Sequence, residues 1–433
     1  MITKIKGGGE KIQKFLSGQY NKNREAQGNV ANAVYTLLNE VQKFGNKALR
    51  EQTKKFDKID VTDFEISRSE IEERAQKADP KLYEVMQKSA ENIRAFHEKQ
   101  LKDGYRINGE DGVILGQTVR GLERVGIYVP GGTALYPSSV LMNAIPAKIA
   151  GVKEIIMVTP PQKDRENLNN LLAAAEIAGV DRVFTVGGAQ ACAALAFGTE
   201  SIPRVDKIVG PGNAYVAAAK RALYGIVDID IIAGPSEICI IADETADPVF
   251  IAADMLSQAE HDRLASSVLI TTSEDIADRT IEQLKIQINK LARKETAEFS
   301  LRNFGAAIIC EDYETAVAAA NYIAPEHLEL MTKEPFELLP TVKNAGSVFL
   351  GAYSPEPLGD YYAGPNHVLP TSGTARFFSP LGVDAFLKKS SYIYYTKEAL
   401  QKAADGIMLF AGSEGLSAHA ASIGVRFNEQ SDK

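Results

Sequence analysis

The fold follows from residues 125–159, VGIYVPGGTALYPSSVLMNAIPAKIAGVKEIIMVT. Two short runs of mainly β-branched and other apolar residues, 125–129 and 154–159, flank a longer amphipathic stretch at 138–151. Parallel strands that are buried on both faces have such continuous apolar runs, because crossover helices cover the sheet. Residues 125–159 therefore predict a β-α-β unit.

The same alternation continues towards the C-terminus. Apolar runs at 182–186 and 207–210 alternate with Ala-rich amphipathic stretches at 166–179, 189–198 and 213–225. A second series of apolar runs follows, separated by helical stretches: EICIIAD (237–243), SSVLITT (266–272), AAIIC (306–310), HLELM (327–331) and SVFLG (347–351). Two such series predict an α/β fold with two doubly wound, Rossmann-like domains.

Both ends of the chain show helix signals instead. Residues 79–97 are typical, since Asp79 can cap the N-terminus of a helix and Pro80 fits its first turn. We therefore predict a helical N-terminal segment and, after about residue 396, a helical C-terminal tail. Between 352 and 376, Pro and Gly recur too often for a regular element, and an ordered loop of this length is usually functional.

The composition limits the classes of function. The 433 residues are 45% hydrophobic and carry a formal net charge of −8, from 48 Lys and Arg against 56 Asp and Glu. This acidic balance argues against nucleic acid and anionic membranes as partners, since both need clustered basic residues. We expect neither a membrane span nor a secretory leader. Three cysteines without CxxC spacing suit a reducing compartment, so we expect a cytoplasmic protein that acts on small molecules.

Glycine-rich turns lie where strands of the first series end and helices begin. They are PGG (130–132), VGGAQ (186–190) and VGPGN (209–213). Free backbone amides at a helix start can hold a phosphate or pyrophosphate, so a bound nucleotide is one interpretation. The other is tight strand-to-helix geometry, because no strand here is followed by GxGxxG. Sequence spacing leaves both interpretations open.

Histidine is rare, and four of the five histidines lie in chemically unusual segments. The fifth, His97, follows apolar residues at helical spacing, so we expect it to be a packing residue. His327 follows Glu326 at the start of a predicted strand. An adjacent acid and base can transfer protons, whereas the alternative is a solvated pair at a strand end.

The other histidines suggest a metal site. Two imidazoles and two oxygen donors form a set that suits Zn²⁺ or a neighbouring first-row ion: Gln258, His261, Asp360 and His419. Gln258 and His261 are three residues apart, a spacing at which side chains project from one side of a helix. The alternative is a solvated polar face, opposite an apolar side formed by Val249, Ala253 and Leu256.

Long blocks of specific sequence follow one another along most of the chain. They are GIYVPGGTALYPSSVLMNAIPAKIAGV, VGGAQACAALAFGT, KIVGPGNAYVAAAK, IIAGPSEICIIAD, DMLSQAEHD, APEHLEL, GDYYAGPNHVLPTSGTARF and EGLSAHA. Together, and in this order, they resemble histidinol dehydrogenase. The resemblance implies an NAD-dependent, zinc-containing enzyme that oxidises L-histidinol through L-histidinaldehyde to L-histidine, the last steps of histidine biosynthesis, and uses two NAD per product.

The resemblance also implies roles for single residues. One Zn²⁺ per subunit would be bound by Gln258, His261, Asp360 and His419. NAD would contact Tyr128, Gln190 and Asn213. The substrate would contact the four zinc ligands together with Ser236, His327, His367 and Glu414. Glu326 and His327 would be the acid-base pair, in which His327 accepts the hydroxyl proton and Glu326 draws a proton from the water that attacks the aldehyde.

A domain arrangement and a partner are implied as well. Residues 26–128 plus 237–380 would form the catalytic and metal-binding α/β domain, and 129–236 would form the NAD-binding, Rossmann-like domain. Residues 1–25 would be a helical N-terminal segment and 381–433 a helical dimerisation tail. Family members are homodimers in which this tail completes the active site of the partner.

Cys192 allows a different chemistry, since a thiolate can form a thiohemiacetal with an aldehyde before hydride transfer. Its Ala-rich setting, AQACAAL, favours instead a small buried side chain with no basic neighbour in the adjacent sequence. Two other classes of protein stay open beside the resemblance. They are a thiol-dependent aldehyde dehydrogenase without metal, and a metal- or nucleotide-binding protein without catalysis.

Overall fold

The computed structural model describes residues 2–26, 30–131 and 135–427. Its strands are β1 Thr3–Lys6, β2 Glu65–Ile66, β3 Tyr105–Asn108, β4 Ile114–Gly121, β5 Arg124–Tyr128, β6 Glu154–Thr159, β7 Arg182–Thr185, β8 Lys207–Val209, β9 Asp228–Ile229, β10 Glu237–Ala242, β11 Ser266–Thr271, β12 Ala306–Ile309, β13 His327–Met331, β14 Ser347–Leu350 and β15 Leu387–Tyr394. Its α-helices are α1 Gly9–Ala26, α2 Ala31–Phe44, α3 Asn46–Phe56, α4 Arg68–Ala75, α5 Pro80–His97, α6 Pro137–Ile149, α7 Asn169–Ala178, α8 Gly188–Phe197, α9 Ala214–Leu223, α10 Pro248–Ala259, α11 Glu274–Gln287, α12 Lys294–Phe304, α13 Tyr313–Ile323, α14 Pro335–Leu338, α15 Glu356–Tyr361, α16 Lys397–Ser413 and α17 Ser417–Gly424. The chain divides into two units, Met1–Gln100 with Leu122–Phe386 and Leu101–Gly121 with Leu387–Lys433.

The first α/β sheet of the larger unit has the strand order β2-β7-β6-β5-β8-β9. Its pairs are parallel except for β2 with β7. From β5 the chain proceeds outward to β6 and β7, and it then crosses to β8 on the other side of β5. This order creates a switch point at the carboxyl ends of β5 and β8, where ligands bind in open α/β sheets.

The second α/β sheet repeats this plan with the order β1-β12-β11-β10-β13-β14, and all of its pairs are parallel. Here the chain leaves β10 for β11 and β12 and then crosses to β13 and β14. The predicted α/β class with parallel, doubly wound sheets is confirmed. Repeated βαβ units produce both sheets, because each crossover helix covers a face that the strands leave apolar.

Local sequence determines where the crossover helices begin. Asp79 accepts a hydrogen bond from the Leu82 N–H at the start of α5, and Asp247 caps α10 through the Val249 N–H. A proline follows each cap in the first turn, where a helix has no use for the missing N–H. Within the described residues, no helix combines the length and the apolar character that a bilayer span requires.

The N-terminal region departs from the prediction in two ways. A strand, β1, precedes α1 and pairs with β12 at the edge of the second sheet. Residues 26–128 are predicted to join 237–380, yet β2 and β5 pair within the first sheet and α2 packs against α8 in its core. Helix α8 is apolar on all sides, so a further helical layer must cover it, and α2 provides that layer.

The smaller unit contains the antiparallel sheet β15-β4-β3, with α16 and α17 following β15. The tail is therefore not wholly helical as predicted, since it includes β15, which pairs along its full length with β4. Thr396 caps α16 by accepting a hydrogen bond from the Ala399 N–H. Large apolar side chains are exposed on this unit, among them Ile393, Leu409 and Phe410.

Candidate active site

The residues expected to contact NAD lie at the carboxyl ends of the first sheet. Tyr128 ends β5, Gln190 lies in the first turn of α8 after β7, and Asn213 caps α9 after β8. Tyr128 and Gln190 are buried, whereas Asn213 is exposed. All three therefore belong to the edge that carries the switch point of this sheet.

Two glycines make the turns at this edge close-packed. The Gly188 N–H donates a hydrogen bond of 3.1 Å to the Tyr128 hydroxyl oxygen. Gly210 has a φ of +109°, and a Cβ there would lie 2.2 Å from the Tyr128 carbonyl oxygen. Close packing thus accounts for these glycines by itself. Both of their N–H groups are already used within the protein, that of Gly188 by the Tyr128 hydroxyl and that of Gly210 by Asp230 Oδ2.

The expected acid-base pair lies at the amino ends of the central strands of the second sheet. His327 is the first residue of β13, and Glu237 is the first residue of the neighbouring β10. The Glu237 N–H donates to Glu326 Oε2 at 2.9 Å, and the Glu237 carbonyl oxygen lies 3.0 Å from His327 Nδ1. Ser236, half-buried, precedes β10 at the same edge. Because the pair lies at a strand end, both of its side chains reach one site.

One ring nitrogen of His327 is left free to accept a proton. A carbonyl oxygen only accepts hydrogen bonds, so the contact with Glu237 assigns the proton to Nδ1 and the lone pair to Nε2. Nε2 is buried without a hydrogen-bond partner in the described part of the chain, and Glu356 Oε1 is 3.9 Å away. Burial lowers the pKa of His327 to about 3. The imidazole is therefore neutral at physiological pH, and its Nε2 keeps a lone pair.

Buried carboxyl groups surround this imidazole. Burial raises the pKa of Glu326 well above its usual range, and the nearby charge of Glu237 raises it further, against the hydrogen bond from the Glu237 N–H. Burial also raises the pKa of Glu237 to about 7, although the Ser372 N–H donates to its carboxylate. The Glu237 carboxyl group can therefore exchange protons near neutral pH, and carboxyl groups with raised pKa values are common at catalytic sites.

Helix α15 lies within the segment 352–376, for which the sequence predicts no regular element. It places Glu356 and Asp360 four residues apart on one face, where their carboxyl groups form a hydrogen bond. Burial raises the pKa of both groups, and the charge of Asp360 raises that of Glu356 further. Asp360 Oδ1 also lies 3.7 Å from His367 Nδ1.

Sequence reasoning missed Glu356. The signal that could have found it is its spacing of four from Asp360, which the dense prolines and glycines made hard to interpret as helical. Glu237 was missed as well, because a carboxylate at the start of an apolar strand is recognised as buried only after the strands are paired.

A cavity of about 290 Å³ connects these groups. His327, Asp360 and His367 line it, together with backbone and side chains of 347–350. One apolar wall includes Phe349, whose ring centroid is 6.0 Å from that of His327. A small cavity with apolar walls and a few convergent polar groups is the usual form of a site for a small molecule.

Gln258 is buried at the end of α10, which decides between the two interpretations of this helix. The solvated-face alternative places Val249, Ala253 and Leu256 inside, but of these Leu256 alone is buried, whereas Gln258 is only 1% exposed. Its Oε1 atom is buried and has no hydrogen-bond partner within the described residues. His261 follows the helix end and is exposed, and its N–H donates to the Gln258 carbonyl oxygen at 3.2 Å. The two residues are therefore linked by a turn rather than by a shared helix face.

Asp254 lies on α10 one turn before Gln258 and is also buried. Its carboxyl group neighbours that of Glu329 in β13, and burial raises the pKa of both. Glu329 Oε1 accepts a hydrogen bond of 2.9 Å from the Glu356 N–H. These acids connect α10, β13 and α15, so the elements that carry Gln258, His327 and Asp360 are linked through buried polar groups.

The donor set suits a divalent cation. His327, Glu356 and Asp360 offer ligand atoms that all lie within 4.8 Å of one another. The unpaired Gln258 Oε1 is a further oxygen donor on the neighbouring helix. Of the expected zinc ligands, Asp360 alone belongs to the cluster of three. Buried carboxylates, imidazoles and an unpaired amide oxygen are together the ligands that Zn²⁺ accepts.

The two sheets meet at this site. Ser139 in the first turn of α6, which follows β5 of the first sheet, has its Oγ 3.5 Å from His367 Nε2. His367, an expected substrate contact, therefore lies next to α6, the helix that follows β5 at the expected NAD edge. The structure thus brings the candidate substrate and cofactor elements into one region of the larger unit.

Glu414 and His419 belong to the smaller unit. Glu414 follows α16 and His419 lies in α17, and both side chains are exposed. An exposed imidazole is available to a ligand or a second chain. The expectation that these two residues complete an active site stays a prediction.

Cys192 has the character of a packing residue. It is fully buried in α8 among apolar side chains, and burial raises the pKa of its thiol to about 12. A thiol of such high pKa supplies little thiolate near neutral pH. Cys239 and Cys310 are also buried and unbridged, and burial raises the pKa of both thiols.

Comparison with known proteins gives a consistent result along the whole chain. The family model for histidinol dehydrogenase matches residues 20–427. The histidinol dehydrogenases of Clostridium acetobutylicum and Listeria innocua are each 53% identical to the chain, over 99% and 98% of its length and 99% of theirs. The crystal structure of histidinol dehydrogenase from Elizabethkingia anophelis superimposes with a TM-score of 0.91 at 37% identity, over 100% of this chain and 99% of that one.

Proposed function

Because the chain belongs to the histidinol dehydrogenase family and is thus an oxidoreductase, we propose that it oxidises L-histidinol to L-histidine by way of L-histidinaldehyde, with NAD and one Zn²⁺ per subunit. The observation that carries this proposal is the free, buried Nε2 of His327, which lines the cavity together with Asp360 and His367. The oxidation of a small polar alcohol needs a base, two further polar groups and an apolar wall.

His327 acts first, on the alcohol. Its Nε2 takes the hydroxyl proton while the Glu237 carbonyl holds Nδ1–H and fixes the ring. NAD, when bound, supplies the acceptor for the hydride that leaves the carbinol carbon. Both the proton and the hydride must leave for the carbon to become an aldehyde, so a positioned base is essential for this step.

Glu326 acts on the aldehyde. It draws a proton from the water that attacks the carbonyl carbon, which forms the hydrate. The hydrate would then lose a hydroxyl proton to a base of the site and a hydride to a second NAD, and so become the acid. The raised pKa of Glu326 suits a group that must accept and release a proton in one cycle. Its hydrogen bond from the Glu237 N–H holds the carboxyl group in place through both oxidations.

Gln258, His261 and Asp360 would hold the metal ion, with His419 as the fourth ligand. The unpaired Oε1 of Gln258 and the place of the Asp360 carboxylate in the cluster with His327 and Glu356 support this assignment. Zn²⁺, when bound, supplies a positive charge that anchors and orients the imidazole and amine nitrogens of the substrate. Ser236, His367 and Glu414 complete the substrate contacts in this proposal.

NAD would bind at the carboxyl edge of the first sheet, against Tyr128, Gln190 and Asn213. The position of these residues at the switch point of the first sheet supports this placement. The contact between Ser139 and His367 supports a substrate position near that edge. Residues 129–236 are the proposed NAD-binding domain, and residues 237–380 carry the catalytic and metal-binding groups.

We propose a cytoplasmic homodimer whose sites are shared through the C-terminal tail. The exposed Leu409 and Phe410 on α16 support burial against a second chain. A biosynthetic oxidation and three unbridged cysteines suit the cytoplasm. The exposed side chains of Glu414 and His419 are available to complete a neighbouring site.

Turnover tests the proposal directly. Purified protein is incubated with L-histidinol, NAD and Zn²⁺, and the NADH absorbance is compared with the histidine formed. Two NADH per histidine is the expected ratio. The rate of NADH formation should fall to zero with a chelator. Activity that survives the chelator but not thiol alkylation would favour a thiol-dependent aldehyde dehydrogenase. Binding of NAD or Zn²⁺ without turnover would favour a non-catalytic protein.

A further inference from the structure

One face of helix α5 lies along residues 361–366, the segment between Asp360 and His367. The residues on this face are spaced at helical intervals, so they project together: Ser89, Asn92, Ile93 and His97. The composition of α5 gave no hint of chemistry. Its contacts with the segment nevertheless connect both ends of the candidate site.

Ser89 and Asn92 bind the backbone directly after Asp360. Ser89 Oγ donates to the Tyr361 carbonyl oxygen at 2.7 Å, and Asn92 Nδ2 donates to the Tyr362 carbonyl oxygen at 2.8 Å. Ser89 is buried and Asn92 is half-buried. These two carbonyls are at the end of α15, where a helix has no partners of its own for them. The side chains of α5 therefore satisfy the end of the helix that carries Asp360.

Gly364 lets the segment lie against α5. Its φ is +111°, and a Cβ at this position would lie 2.6 Å from the Asn92 carbonyl oxygen. Any side chain would push the segment away from the helix. The close approach thus depends on glycine in addition to the two hydrogen bonds.

Asn366 anchors the other end, directly before His367. Its Nδ2 donates to the Met142 carbonyl oxygen at 2.6 Å and lies 3.2 Å from His97 Nε2, while its Oδ1 accepts from the Val368 N–H at 2.9 Å. His97 is fully buried, and burial lowers its pKa to about 4, so its neutral ring can accept the amide hydrogen. Every donor and acceptor of the Asn366 amide is used, which fixes the side chain.

We propose that α5 is a positioning element, in which Ser89, Asn92 and His97 hold residues 361–366 so that Asp360 and His367 keep the separation needed to bind a divalent cation and a small polar alcohol. This inference rests on the proposed function, because it assigns a support to two residues of that site. The three α5 residues touch neither metal nor substrate. They act through the backbone of the segment and through Asn366.

Metal affinity measures this positioning independently of turnover. The variant carrying Ser89→Ala and Asn92→Ala is compared with the unaltered protein by chelator competition, first for Zn²⁺ alone and then for Co²⁺ alone. Removing hydrogen bonds that orient metal ligands typically weakens metal binding by about 10- to 100-fold, and we expect a loss of affinity in that range. The visible bands of Co²⁺ should also change, since they report ligand geometry. Gln87→Ala, on the exposed side of α5, is the matched control and should leave affinity and spectrum unchanged.

A purely structural role would give a different result. If the double variant melts at a lower temperature but binds both metals as tightly as the unaltered protein, with the same Co²⁺ spectrum, the positioning role is wrong. Should the double variant fail to fold, Asn92→Ala alone decides by the same measurements, because this half-buried side chain can be shortened with little loss of packing. Failure of the unaltered protein to oxidise histidinol would instead contradict the proposed function, which the variant-to-parent comparison does not address.

Discussion

His327 is held at Nδ1 and free at Nε2, and this asymmetry results from its position at the start of β13. One residue further along the strand, the ring would project to the opposite face. At the strand start it reaches both the Glu237 carbonyl and the cavity. Its neighbour Glu326 shares the same support through the Glu237 N–H. A single residue of β10 thus orients both members of the pair.

Replacing His327 with Gln should lower kcat while the protein still binds its metal. The amide keeps a polar group in the cavity but cannot take the hydroxyl proton, and a positioned base typically contributes about 10²- to 10⁴-fold. Steady-state kinetics with histidinol, together with the zinc content of the variant, measures the effect. A variant with full kcat would exclude His327 as the base.

Replacing Cys192 with Ala should leave both oxidations intact. The thiol is fully buried, and burial raises its pKa to about 12, so it supplies little nucleophile. The check is the rate of NADH formation with histidinol and, separately, with histidinaldehyde. Loss of aldehyde oxidation alone would point to a thiohemiacetal and would overturn this assignment.

His97 should make the protein less stable as the pH falls from about 6.5 to about 4. Burial lowers its folded pKa to about 4, whereas in the unfolded chain it keeps its ordinary value near 6.5. Above pH 6.5 both states are neutral, but below it the unfolded state alone gains the proton. Unfolding is therefore favoured, by up to about 3 kcal/mol at the acid end of this window.

The measurement that isolates His97 is the free energy of unfolding of the unaltered protein and of His97→Gln across this pH range. The difference between the two should change with pH, because Gln does not titrate while the remaining histidines are common to both. A difference that stays constant from pH 6.5 to 4 would contradict the lowered pKa.

Single residues were predictable where their chemistry is unusual for the local pattern. Glu326, His327, Gln258 and Asp360 stood out in the sequence, and the structure places them around connected elements of the larger unit. Glu356 and Glu237 did not, since their significance depends on burial that only tertiary packing creates. The support from His97 could not be predicted for the same reason, and from its spacing we expected only a packing role.

The two sheets have one topology but present opposite edges to the site. The first contributes the carboxyl ends of β5 and β8, where a switch point is expected to bind ligands. The second contributes the amino ends of β10 and β13, where Glu237 and His327 lie. At the carboxyl edge of the second sheet, Asp243 accepts hydrogen bonds from Thr245, Tyr313 and the Lys333 N–H, which satisfy its carboxylate.

Periodicity in the sequence predicted nearly every strand of both sheets, because buried parallel strands have continuous apolar runs. It could not predict which edge carries the chemistry, since a strand has the same pattern at both ends. It also missed β1, β2 and β9 of these sheets and the three strands of the smaller unit, β3, β4 and β15. Strands β2 and β9 are only two residues long, and the other four are partly or wholly exposed, so none has a continuous apolar run.

The buried pair Lys220–Asp230 should support the turn at the proposed NAD edge. Lys220 Nζ donates to the Gly210 carbonyl oxygen at 2.9 Å, and Asp230 Oδ2 accepts from the Gly210 N–H at 2.7 Å. The two side chains are 2% and 1% exposed. Asp230→Asn leaves the lysine charge buried without its partner, and breaking such a pair costs about 3–5 kcal/mol.

Chemical denaturation measures this loss, and calorimetry should show weaker NAD binding by the folded variant. The control is Glu91→Gln, which breaks the exposed pair with Lys88 and should leave both quantities unchanged. Equal stability of Asp230→Asn and the unaltered protein would contradict the support of this turn.

The whole molecule consists of a larger unit with both α/β sheets, Met1–Gln100 with Leu122–Phe386, and a smaller unit formed by Leu101–Gly121 and Leu387–Lys433. The smaller unit holds Glu414 and His419, while the larger holds the other candidate site residues. Sequence resemblance predicted that the tail serves a second subunit. Local patterns could not have done so, since they contain no information about which chain a side chain serves.

Mixing two inactive variants tests the shared site. His419→Ala removes the tail ligand and His261→Ala removes a ligand of the larger unit. In a heterodimer with exchanged tails, one site carries both defects and the other carries none. Random reassociation should therefore restore roughly a quarter of the parental activity. No recovery after confirmed subunit exchange would mean that each site is built from one chain.

The location of the metal tests the central claim most directly. Crystals grown with Zn²⁺ and L-histidinol are measured at the zinc absorption edge to locate the ion by anomalous scattering. We predict one peak per subunit among Gln258, His261 and Asp360, completed by His419 of a second subunit, with a substrate nitrogen at the ion and the substrate hydroxyl towards His327 Nε2. A peak away from these side chains, or histidinol bound without zinc, would contradict the account.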